Sequence, residues 1–231
     1  MATLTFNPHG GYAYTNDFLS SNSWHQEVIA NGDLANEDVA GDLFQVTAKS
    51  TSTGKWQQII RAFYAFDTST IVGTISSATL TIIGSAKEDN NLDGLWELGV
   101  YSATLTDPTH VDPQDYQLAG TTLLSSTITY AGFNTSGNNV FTFNATGLAY
   151  INKTGYTIVC IRDATHDVAD ELDPNNHDPN WVDYAVSNIK WLGSGNSTPE
   201  NKPLLTVNYS ATSSGVVGAS TVKRAAYCGG L

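Results

Sequence analysis

The sequence predicts an all-β protein, a jelly-roll β-sandwich of two antiparallel sheets with an extended C-terminal tail. Three observations carry that prediction. The 231 residues include 28 Thr, 20 Gly, 19 Asn, 11 Tyr and 8 Phe, and β-branched and aromatic side chains suit a pleated, half-buried surface while Gly and Asn supply the turns. Alternation with a period of two recurs along the chain. Helix formers are too sparse for a bundle.

The elements follow in chain order. Leu19–Val39, with Asn31-Gly32 inside it, reads as a loop or a weak strand pair. Ile59–Phe66 is apolar on both faces except for Arg61, the pattern of a central strand whose arginine sits at an end or meets a carboxylate. In Ile75–Ile83, Ala78, Leu80 and Ile82 share one face and Ser77, Thr79 and Thr81 the other. Asn90–Gly94 is a turn, with Asp93-Gly94 a hairpin dipeptide, and Leu95–Tyr101 a strand with Trp96, Leu98 and Val100 aligned. Pro108 and Pro113 exclude a central strand from Thr106–Gln117. Asn144–Ile151 predicts one short helix capped by Asn144, with Leu148 and Ile151 toward the core. Tyr156–Arg162 repeats the central-strand pattern, Arg162 taking the place of Arg61. Pro203 opens a last strand, Leu204–Tyr209, in which Leu205, Val207 and Tyr209 oppose Thr206 and Asn208. The domain is thus 1–209; residues 210–231, rich in Ser, Thr, Gly and Ala, read as an extension outside it.

Charge and motifs exclude several functions. Ten Lys and Arg against 22 Asp and Glu give a net charge of −12, which disfavours nucleic acid, whose binding rests on neutralising phosphates. No apolar run reaches the length of a membrane-spanning helix. The opening MATLTFNPHGGYAYTNDF shows neither the basic nor the apolar region of a secretory leader. Nucleophile-elbow, zinc-protease, phosphate-loop and dinucleotide motifs are all missing, so the expectation is a protein that is not an enzyme. Cys160, between Val159 and Ile161, reads as a buried structural thiol.

Several blocks, taken in order, resemble a known family. Arg61-Ala-Phe-Tyr-Ala-Phe-Asp-Thr-Ser69 with Ile75-Ser-Ser-Ala-Thr-Leu80, then Val140–Leu148 with Gly155–Ile161, then Asn201–Tyr209, are similar to the core strands of DNRLRE-like domains. Those are jelly rolls of carbohydrate-binding-module type, found in cell-surface proteins and in virion structural proteins of tailed phages. The resemblance spans roughly residues 40–210. It implies a sandwich, and it implies either a virion structural protein, placed in the virion with other virion proteins and further copies of itself as partners, or a secreted or cell-surface carbohydrate-binding module.

Three groups of residues are candidate sites. Seven of the 22 carboxylates fall between Asp163 and Asp183, with no Lys or Arg among them. A Ca²⁺ ion held by Asp170, Asp173 and Asp178 would screen them, and a solvated acidic loop is the plainer alternative. Trp24, Trp56 and Trp181 stand in polar surroundings and could stack on a sugar ring, whereas Trp96 and Trp191 lie in strands and belong to the core. In the extension, Lys223, Arg224, Tyr227 and Cys228 are the candidate partner-docking residues, Cys228 being either inert or a cross-link to a neighbour. A polysaccharide-active enzyme is the third functional class, without a residue that speaks for it.

Overall fold

Thirteen strands form the framework of the computed structural model, which describes residues 1–17, 21–48, 52–90, 96–174 and 177–210. They are β1 (Ala2–Phe6), β2 (His9–Tyr14), β3 (Leu34–Glu37), β4 (Gly41–Ala48), β5 (Gln58–Asp67), β6 (Thr74–Asp89), β7 (Glu97–Ala103), β8 (Ala119–Leu123), β9 (Ile128–Thr129), β10 (Asn138–Thr142), β11 (Tyr156–Asp163), β12 (Ala185–Leu192) and β13 (Leu204–Ser210). Three short helices, α1 (Trp24–Val28), α2 (Ala145–Tyr150) and α3 (Ala169–Leu172), lie between them. The predicted all-β sandwich is the fold. The expected Asp93-Gly94 turn and the docking residues Lys223, Arg224, Tyr227 and Cys228 lie outside the described residues.

Every strand pairing is antiparallel, and one long strand joins the two sheets. The first half of β6 pairs with β13 and β10, its second half with β12. The first sheet therefore runs β1-β13-β6-β10; the second continues from β12 through β4, β5, β11 and β7 to β8, with β2 on β5 and β3 on β2. The crossing point is Gly84. A Cβ there would stand 1.9 Å from the Asn134 carbonyl oxygen, so no larger residue fits the corner. Opposite it, the register with β12 shifts between Lys190 and Trp191, a bulge that bends the strand from one layer to the other.

The inner face of the first sheet is the predicted apolar set: Ala78, Leu80, Ile82, Phe141, Leu205 and Val207 are buried. Its outer face is tiled with hydroxyls. Register places Thr5, Thr206, Thr79 and Thr142 side by side across all four strands. In the neighbouring row, Thr3 Oγ1 donates to Asn208 Oδ1 at 2.6 Å and Asn208 Nδ2 donates to Ser77 Oγ at 3.0 Å. No outward position in either row carries an ionisable group, on a chain whose net charge is −12.

β5 and β11 are covered on both faces because a third layer lies over the second sheet. It consists of α1, the 3₁₀ turn Pro113–Leu118, the π turn Ala164–Val168 and α3. That explains two strands apolar on both sides. α2 forms where expected, Asn144 Oδ1 accepting from the Gly147 amide at 2.8 Å. The Leu19–Val39 reading needs correction: the described part holds a helix and a strand. α1 starts with a capping box in which Ser23 and Gln26 satisfy each other's backbone amides.

Candidate functional site

The polar centre of the molecule lies beneath the acidic loop. Ala62 pairs with Ile161 and Phe63 with Cys160, so Arg61 and Arg162 emerge on the same face of the second sheet. Both reach one carboxylate. Arg61 donates to Asp167 from Nε at 3.0 Å and from Nη2 at 2.5 Å; Arg162 donates from Nε and Nη2, each at 2.9 Å. Two such forks on one carboxylate fix its position and plane. The remaining donors of Arg162 go to the Ala119 and Gly120 carbonyls and to Glu171 at 2.6 Å, so all five of its N–H groups are matched. Arg61 also donates to the Tyr116 and Val28 carbonyls, and its guanidinium lies 3.9 Å from the centre of the Tyr116 ring. Asp67, at the end of β5, is exposed and accepts from the Ser69 amide and hydroxyl.

Asp163 delivers Asp167 to this position. It ends β11, and its carboxylate accepts from the Glu97 amide at 2.7 Å and from the His166 amide at 2.6 Å, which turns the chain back over the sheet. Burial pushes the Asp163 carboxyl up to about 6. Burial acts on Asp167 in the same sense, but the guanidinium groups of Arg162 and Arg61 outweigh it and hold that carboxyl well below the usual range. Opposed environments four residues apart thus divide the loop into a turn-forming acid and a permanently ionised one. The cations that screen the loop come from the sheet, a possibility that counting Lys and Arg within the loop does not reveal.

That arrangement corrects the Ca²⁺ reading. Asp170 is buried against His25, with Nδ1 to Oδ2 at 2.7 Å tying α1 to α3, while Asp173 and Asp178 are exposed. Among the described residues, no three His, Cys, Asp or Glu side chains converge as metal ligands would.

The sugar-stacking reading also needs correction. Trp24 is 0% exposed and Trp56 1%. Their rings meet edge to face at 4.9 Å, and the His166 ring fits between Trp24 and Trp96 at 6.5 and 4.8 Å. The Trp24 indole N–H donates to the His166 carbonyl, so this aromatic group clamps the π turn to α1. Trp181 alone of the three keeps part of its surface in solvent, its indole N–H donating to the Lys55 carbonyl at 2.7 Å. Trp96 and Trp191 are core residues, as expected.

A further buried acid, Asp42, was not singled out by sequence. The Trp191 indole donates to the Tyr64 hydroxyl at 2.6 Å, and that hydroxyl donates to Asp42 Oδ2 at 2.6 Å. Burial raises the Asp42 carboxyl to about 6. Unfolded, it titrates near its ordinary value of about 4. Between those values the native state holds a proton that the unfolded state lacks, so stability falls as pH rises through the window. Asp163 acts in the same direction. The protein will therefore melt higher at pH 5 than at pH 7, and Asp42→Asn will remove about 1 kcal/mol of that difference. Calorimetric melts of both chains at the two pH values check it; an equal difference in the variant refutes Asp42 as a source.

Compared with known proteins, the chain matches no family model and no curated protein.

Proposed function

We propose that this chain is a non-enzymatic virion structural protein of a tailed phage, serving in capsid decoration or on a fibre or tail surface. The observation that carries the reading is the use to which the polar centre is put. Arg61, Arg162, Asp163 and Asp167 satisfy one another and the surrounding backbone, which fixes three layers and suits a scaffold more than a reaction centre. The resemblance of residues 40–210 to DNRLRE-like strands supports the same assignment, and the uncharged threonine face gives an acidic chain a surface on which neighbours can approach. The segment 211–231, with Lys223, Arg224, Tyr227 and Cys228, is the docking element in this reading.

The test compares the full chain with one ending at Ser210, each mixed with purified particles that lack it and sedimented. The full chain will travel with the particles, and the shortened chain will stay behind with an unchanged melting temperature. Equal co-sedimentation of both removes the role of the segment; co-sedimentation of neither removes the virion assignment.

A carbohydrate-binding module is the second reading. It rests on Trp181, which is followed by the exposed Val182 and Tyr184. A glycan-array signal that disappears in Trp181→Ala would establish it.

A further inference from the structure

Five strands pair with a single neighbour, β1, β3, β8, β9 and β10; β9 is only two residues long, and three of the others are protected against pairing with a stranger. β3 carries Glu37 and is broken off by Asp38 at a φ of 47°. β8 joins β7 through an irregular register and follows a 3₁₀ turn. β10 is shielded where Ser125 bridges Phe143 and the Ser126 amide donates to the Thr142 carbonyl. β1 has none of these devices. Its five residues, Ala-Thr-Leu-Thr-Phe, include no charge, proline or glycine, and among the described residues they pair with β13 alone.

We propose that the free edge of β1 pairs with β1 of a second copy of this chain, antiparallel about a two-fold axis. A strand edge is self-complementary under such rotation, since each copy offers the same alternation of N–H and C=O. Charge selects the site. Copies that each carry −12 repel, and β1 with its adjoining rows meets a neighbour without an ionised side chain. Register follows from the pleat: inward residues must oppose inward residues for the two cores to remain on one side. A two-fold axis through Leu4 satisfies this and sets Thr3 against the second copy's Thr5. The two first sheets then form one sheet of eight strands, with the threonine rows continuous across the junction. The pairing does not depend on the virion reading.

Sedimentation velocity on the full chain over a range of concentrations tests the proposal. A concentration-dependent dimer is expected, lost in the double variant Thr3→Lys, Thr5→Lys, which sets lysine against lysine. Thr142→Lys, on the far strand of the same face, will dimerise normally. The chain ending at Ser210 will also dimerise. Should the lysine pair impair folding, amide exchange of the unaltered chain decides: amides of β1 will slow as concentration rises. A chain monomeric up to about 1 mM, or a folded double variant that still dimerises, overturns the proposal. Loss of the dimer in Thr142→Lys would indicate stacking of faces, and loss in the shortened chain association through 211–231; either result overturns edge pairing as well.

Discussion

Asp167→Asn is expected to lower the stability of the fold by about 3–5 kcal/mol, the range for removing one partner of a buried ion pair. Arg61 and Arg162 bring two positive charges to the cluster, and Asp167 and Glu171 bring two negative ones. With asparagine at 167 the centre keeps a net positive charge, and the amide NH₂ faces guanidinium donors that can no longer be met. Both guanidiniums are almost fully buried, so water cannot replace the lost acceptor. Glu171→Gln is the graded comparison. Its side chain is 32% exposed, and the loss should be about 1 kcal/mol. Urea unfolding at pH 7 measures both. The acid limb gives an independent signature. The Asp167 carboxyl is held below its ordinary range, so its contribution is intact above about pH 4 and declines as pH falls further. The Asn variant should lack that component of acid destabilisation. A midpoint unchanged from the parent chain would mean that the cluster does not hold the third layer to the sheet.

How much of this was legible depends on the range of each interaction. The capping by Asn144 and the central character of β5 and β11 were readable because their signals are local: a cap three residues from its donor, and apolar runs interrupted by one arginine. The partner of Arg61 was not, since Asp167 lies 106 residues away and reaches it only through the β5–β11 register and the turn set by Asp163. α1 has a local signal as well: Ser23 and Gln26 have the spacing of a capping box, and Trp24 and Val28 lie one helical turn apart. The threonine row shows the opposite case. The alternation in each strand sets Thr79 and Thr206 opposite the apolar face, but their alignment with Thr5 and Thr142 is a property of three registers and of no single segment. Polar sequence neighbours made Trp24 and Trp56 look exposed for the same reason, because what covers them comes from elsewhere in the chain.

Those two tryptophans give the second large effect. Trp24→Ala and Trp56→Ala are each expected to cost about 3–5 kcal/mol, since truncating a buried indole loses its transfer free energy and leaves a cavity. For Trp24 the loss includes the hydrogen bond to the His166 carbonyl and the edge contacts with Trp56 and His166, so the π turn bearing Asp167 loses its clamp to α1. The two deletions should not add, because each ring is a wall of the other's site; the double variant will lose less than the sum. Trp181→Ala gives up a partly solvated ring and one bond to the Lys55 carbonyl, and should cost about 1 kcal/mol. Guanidinium titrations of the four variants measure the contrast. Equal, small losses at all three positions would return Trp24 and Trp56 to the surface; a large loss at the first two, with Trp181 nearly silent, assigns them to the joint between cap and sheet, where no sugar ring can reach.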